Sequence, residues 1–191
     1  YAAASGDRSW VAFGEGNKPG AGRVIMARDR GGLAPDLFSP LVTISDLTDN
    51  ASEQVSGIAL DKSGGTVAAH GSQAFFSTVN DPFHLRLQGK FDSADNGAGI
   101  AFHPLADGTL TPQQSRLAFV ASSSGQIEIV DIAYYIARGK LQLKNPIYGP
   151  LRASLPMPGD PPSVVMKLYA VSAQGLVVID LTANDIKPGP P

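Results

Sequence analysis

Gly57-Ile58-Ala59-Leu60-Asp61-Lys62-Ser63-Gly64 and Gly99-Ile100-Ala101-Phe102-His103-Pro104 are two copies of one short pattern, starting 42 residues apart. Each opens on Gly and runs through a few apolar residues, too few for a helix. Each is followed by a Gly-containing turn (Ser63-Gly64-Gly65, then Asp107-Gly108) and a further strand-like run. A repeat of about 40–50 residues with several short strands per unit is the sequence sign of radially repeated antiparallel sheets.

Outward from the first copy, Val55 to Leu60, Thr66 to His70, Ala74 to Val79 and His84 to Gln88 read as four strands, separated by Gly, Ser, Asn, Asp and Pro. The second copy leads into Arg116 to Ala121, the turn Ser122-Ser123-Ser124-Gly125, and Gln126 to Ile132. Ala133 to Gly139 does not alternate and predicts a helical turn or an irregular insertion, with Leu141 to Ile147 as the fourth strand. Earlier in the chain, Ser9 to Phe13 and Arg23 to Arg28 pair across a Gly-rich loop, and Leu37 to Ile44 is a third strand. Later, Lys167 to Ser172 and Leu176 to Leu181 form a hairpin. Pro156, Pro158, Pro161 and Pro162 precede it, so the first strand there is short or begins only at Ser163. The expected fold class is all-β: about four units of β-propeller type, at residues 9–46, 55–90, 97–150 and 162–181, the first and last incomplete. Residues 182–191 form an extended Pro-rich tail.

Two hairpins support the repeat independently. Ala118 to Ala121, through Gly125, to Ile127-Glu128-Ile129-Val130-Asp131 parallels Tyr169 to Ser172, through Gly175, to Val177-Val178-Ile179-Asp180. Near-continuous apolar runs in these strands predict burial on both faces, as between stacked sheets.

Gly99-Ile100-Ala101-Phe102-His103-Pro104 with Asp107-Gly108, and Gly57 to Gly64, resemble the opening strand and turn of blades in the broad propeller group of YVTN-type, WD40-like and lactonase-like proteins. The resemblance extends over about residues 9 to 181. It implies blade architecture and no particular site residue. The Gly-His and Trp-Asp signatures of true WD repeats are absent, since the single Trp10 is followed by Val11. Because a propeller hides its strand edges by ring closure, two complete and two incomplete units imply one of three arrangements. The chain is part of a longer propeller, a compact four-bladed ring closed by its own ends, or a partial ring completed by a second chain.

Composition narrows the function. The chain has 191 residues, 43% hydrophobic and 17% charged, with 21 Gly and 15 Pro. Its net charge of −2 does not favour nucleic acid, which needs a concentrated basic surface. Arg28-Asp29-Arg30-Gly31-Gly32 resembles an RNA-binding Arg-Gly-Gly element but occurs once and contains an acid, which argues against that reading. The absence of Cys excludes disulfides, thiolate zinc sites and thiol catalysis. No apolar run reaches the length of a membrane span. The opening lacks the basic-then-apolar pattern of a signal peptide, and a start at Tyr1 without Met is expected of a processed or partial product. The low-charge, Cys-free, Ala/Ser/Gly-rich composition is compatible with an exported protein and with a cytosolic one, an extracytoplasmic (periplasmic or secreted) setting being slightly favoured. Asn50-Ala51-Ser52 is a glycosylation sequon of the kind that arises by chance.

The candidate chemical residues read mainly as structure. His70, His84 and His103 belong to different strand ends, which argues against a shared metal. Asp92-Ser93-Ala94-Asp95-Asn96-Gly97 has oxygen ligands but lacks the acid ladder of a calcium loop. Asp131 and Asp180 end equivalent strands and are expected to be a repeated structural cap rather than paired catalytic carboxylates. Tyr134, Tyr135 and Tyr148 flank the insertion and could serve a partner or pack on a neighbouring sheet. No Gly-x-Ser-x-Gly elbow and no Walker sequence occurs. The reading assigns no catalytic, cofactor-binding or metal residue and no cofactor. The expected function is a non-catalytic binding or scaffold module with a protein partner, or the remainder of a longer propeller chain, as its complement. It would act through the loops Gly14–Gly22 and Leu105–Gln114, the insertion Ala133–Lys140, or open sheet edges. The alternative is part of a propeller enzyme, a lactonase-like hydrolase or cofactor-dependent dehydrogenase, with its site at the central channel.

Overall fold

The protein is described by a computed structural model over residues 1–6, 10–14, 24–28, 42–43, 55–64, 66–71, 73–81, 84–93, 96–106 and 116–187. Those residues form four consecutive antiparallel sheets and no α-helix. The first sheet holds β1 (Ala2–Ala4), β2 (Trp10–Gly14), β3 (Val24–Arg28) and β4 (Val42–Thr43). The second holds β5 (Gly57–Leu60), β6 (Thr66–His70), β7 (Ala74–Asp81) and β8 (His84–Phe91). The third holds β9 (Gly97–Phe102), β10 (Leu117–Ser122), β11 (Gln126–Asp131) and β12 (Ile136–Gln142). The fourth holds β13 (Ile147–Ser154), β14 (Val164–Ser172) and β15 (Gly175–Thr182). Within each sheet the strands lie side by side in chain order, a simple meander.

The sheets stack face to face, and strand alternation decides which neighbour each residue meets. In β10, Leu117, Phe119 and Ala121 face the fourth sheet, where they join Leu151, Met166, Leu168 and Ala170. Ala118 and Val120 of the same strand face the second sheet, with Phe76 and Phe91. A strand buried on both faces needs no polar alternation, hence the continuous run Leu-Ala-Phe-Val-Ala. Burying a side chain such as Phe119 contributes roughly 1.5–3 kcal/mol. The first and second sheets meet through Trp10, Ala12, Val24 and Met26 against Val55 and Ile58.

The opening strands β1, β5, β9 and β13 form the inner margin of the stack. Here backbones touch: a β-carbon built on Gly99 would lie 2.8 Å from the Leu151 nitrogen. Across this margin Arg152 Nη2 of β13 donates to the Ala2 carbonyl of β1 at 3.3 Å, linking the last sheet to the first. Between sheets, Lys62 N donates to Ala106 O at 2.7 Å and Gly97 N to Gly71 O at 2.9 Å.

The strand expectations hold for the central hairpins; β1 (Ala2–Ala4) is not among them, and two later assignments move. Ala133–Gly139 is not an insertion: a tight turn leads directly into β12, which pairs along β11 from Asp131↔Ile136 to Gln126↔Gln142. The turn is made by Tyr135, whose φ of 54° is left-handed and is held by its ring packing on Phe76, centroids 5.7 Å apart. Leu141–Ile147 is therefore the end of β12 and a turn. The opening strand of the fourth sheet is Ile147–Ser154, not a segment from Ser163. This strand contains Pro150 and pairs on one side only, where a missing N–H is tolerated. Most of Leu37–Ile44, the loop from 15 to 22, the Leu105–Gln114 loop beyond Ala106 and the last tail residues lie outside the described residues.

Candidate functional site

The structure offers two places where chemistry or recognition can concentrate: a cleft at the inner margin and the uncovered side of the fourth sheet. The cleft has a volume of about 430 Å³ and is lined from all four sheets, with Asp61, Lys62, His103 and Arg152 as its polar groups. Asp61 and His103 are the fifth residues of the two repeated pentapeptides, and both are buried. Their side chains cap the turns that follow. His103 Nδ1 accepts from Leu105 N at 3.2 Å, and Asp61 Oδ1 accepts from Ser63 Oγ at 3.2 Å. Ser5, following β1, does the same kind of work, its Oγ accepting from Trp10 N at 3.0 Å. Burial pulls the His103 imidazole down to about 4, so at neutral pH it is uncharged and a weak base. The cleft thus combines two cations, one carboxylate and a neutral imidazole.

His70 closes β6 and His84 opens β8 in the second sheet, while His103 follows β9 in the third. The side chains of His70 and His84 lie outside the described ones. Among the described residues no group of three or more His, Asp or Glu could hold a metal ion. The Asp92–Gly97 segment is the link from β8 to β9, and Asp92 accepts from Gln73 Nε2 there. Ala94 and Asp95 lie outside the described residues. The tyrosines do not form one cluster. Tyr134 lies beside the guanidiniums of Arg116 and Arg138, 5.8 and 5.7 Å from its ring centre. Tyr135 packs on the second sheet, and Tyr148 stands exposed on β13.

Asp131 and Asp180 part company. Asp131 is buried, its Oδ1 accepting from Ala133 N at 3.0 Å, its Oδ2 3.5 Å from Arg116 and 3.4 Å from Arg138. It is the expected cap. Asp180 is not: its side chain is 47% exposed and its partner is Lys167 Nζ at 2.7 Å. Lys167 also meets Asp160 at 2.9 Å, and these hydrogen bonds hold its ammonium well above the usual lysine range.

The strand registers explain the difference. In the third sheet the pairs Ala121↔Ile127, Phe119↔Ile129 and Leu117↔Asp131 share one face. In the fourth, Val171↔Leu176, Tyr169↔Val178 and Lys167↔Asp180 occupy the same three places. The turn at Gly125 is one residue longer than that at Gly175, so the sequence hairpins align one position off the structural ones. The face carrying Phe119 and Ile129 is covered by the fourth sheet. The corresponding face of the fourth sheet is open, with Val171 40%, Leu176 68% and Val178 49% exposed. At the other end of the stack Phe13, paired with Ala2 and Ile25, is also exposed. The strand sequence by itself does not mark this surface, because Val, Tyr and Leu in alternation read as core whether or not a neighbour exists.

No described helix is long and apolar enough to cross a membrane. No protein-family model matches the chain, and no curated protein matches it.

Proposed function

We propose that the four sheets are successive blades of a β-propeller, and that the chain is a non-catalytic binding or scaffold module acting through its open last sheet in a larger assembly. The meander order, the interlayer cores and the convergence of β1, β5, β9 and β13 on one cleft support the blade arrangement. The observation that carries the function is the open face of Val171, Leu176 and Val178, since its counterpart one sheet earlier is core. Apolar surface of that kind, contiguous and rimmed by Lys167, Asp180 and Arg152, marks an interaction site.

A photo-crosslinking residue placed at Leu176 or Val178, and at exposed Lys140 as a control, tests the module reading in native extract. Adducts of one defined mass at 176 and 178 and not at 140 are expected. Equal labelling at all three, or none, would remove the reading. A second reading, the site of a propeller enzyme, is favoured by the cleft with Asp61, His103, Lys62 and Arg152. Loss of a turnover activity in Arg152→Ala, with adducts absent from the last sheet, would place the function there instead.

A further inference from the structure

Among the described residues the fourth sheet has three strands where the other three sheets have four. In the other three sheets the third strand is covered along its outer edge by a fourth: β3 by β4, β7 by β8 and β11 by β12. Among the described residues β15 pairs with β14 alone. Its sequence, Gly175-Leu-Val-Val-Ile-Asp-Leu-Thr182, has no Pro and no Lys to blunt the edge. An edge of eight residues with that composition is a ready template for another strand.

Charge specifies what that strand carries. In the third sheet the covering strand β12 supplies Arg138, which reaches the carboxylate of Asp131 at 3.4 Å, beside Arg116 from within the sheet. Asp180 holds the position of Asp131 in the fourth sheet. Its one cation in the described structure is Lys167, and that ammonium is shared with Asp160. Two carboxylates and one ammonium leave the surroundings of Asp180 negative.

We infer that the open edge of β15 is a strand-addition site for an antiparallel extended segment of a partner polypeptide, with a basic residue set against Asp180 and apolar residues beside Leu176 and Val178. This rests on the module reading and narrows it from the face of the last sheet to the edge. Main-chain hydrogen bonds along β15 would supply affinity, and the basic residue would set register and direction. A second copy of this chain fits less well. Self-pairing of β15 centred on Val178 sets Asp180 against Leu176 and brings no cation.

The probe is an acetylated, amidated peptide copying residues 135–143, Tyr-Ile-Ala-Arg-Gly-Lys-Leu-Gln-Leu, added to the whole chain. Saturable binding is expected, with slowed hydrogen exchange confined to β15 amides. Asp180→Lys should weaken binding about twofold to fivefold, the range of an exposed ion pair. A peptide with Glu in place of its Arg should recover on that variant what it loses on the parent chain. Asp180→Asn, which keeps size and shape, should fall between and guards against a folding defect. The inference is overturned if a scrambled peptide of the same composition binds equally, if β15 is not protected, or if the charge exchange has no effect. It is also overturned if β15 amides of the chain alone become protected as concentration rises, because a second copy then occupies the edge. Peptide failure with crosslinks retained at 176 and 178 would sink strand addition and leave the module reading standing.

Discussion

Gly57 of β5 and Gly99 of β9 lie back to back, so close that a β-carbon built on Gly57 would sit 2.8 Å from the Gly99 Cα. These are the opening residues of the two repeated sequences. The glycines are there because inner strands of adjacent sheets approach backbone to backbone, and Gly99 in turn abuts Leu151 of β13. A side chain at either place has backbone in its way and nothing flexible to push aside.

Gly57→Ala and Gly99→Ala are therefore expected to destabilise the chain by about 1–3 kcal/mol each. Gly159→Ala is the control. Its φ of 99° imposes backbone strain, but no atom lies within 4 Å of the added carbon. Thermal unfolding of the three variants checks this. The inner-margin contact is wrong if Gly57→Ala melts no lower than the parent chain.

The Asp131 and Asp180 pair separates a buried ionic cluster from an exposed one. Asp131→Asn leaves Arg116 and Arg138 facing a neutral amide inside the protein, and breaking such a buried arrangement costs about 3–5 kcal/mol. Asp180→Asn removes an exposed partner of Lys167 and should cost less than about 1 kcal/mol. Urea denaturation of both variants measures the gap, and equal losses would contradict the assigned burial.

His103 makes stability depend on pH with a definite sign. The fold holds its imidazole at about 4 by burial, against 6.5 when exposed. Between those values the unfolded chain binds the proton and the folded chain does not, so stability falls as pH is lowered from about 6.5 towards 4 and is unaffected by this group above that window. In His103→Asn the side-chain oxygen can still accept from the backbone two residues on. The urea midpoint of the parent chain, relative to this variant, should drop across the window. A difference independent of pH would exclude the effect.

Tyr135 is placed in a left-handed conformation because its ring fits over Gly89 and against Phe76 of the second sheet. Replacing it separates strain from packing. Tyr135→Gly relieves about 1 kcal/mol of backbone strain and loses the ring, while Tyr135→Ala loses the ring and keeps the strain. Both should be less stable than the parent chain, the alanine variant more so, by chemical denaturation. The reverse order would show that the turn is not strained.

The architecture was largely legible in the chain itself, for reasons of local physics. Gly125 and Gly175 take positive φ at turns between short apolar runs, so the hairpins β10–β11 and β14–β15 were readable. Three strands were hidden. β1 is Ala2-Ala3-Ala4, with no strand preference. β12 is an outer strand in which Arg138, Gly139 and Lys140 interrupt the apolar alternation. β13 contains Pro150. All three flank stronger strands that dictate their pairing.

What residue order determined alone was the set of small antiparallel sheets, their turns and the Gly57 and Gly99 repeat. What only the tertiary structure decided was which sheet faces have a neighbour. Asp131 and Asp180 occupy matching register positions, yet one is sealed between sheets and the other is open, because burial is a property of two packed surfaces and a strand's own sequence describes just one of them.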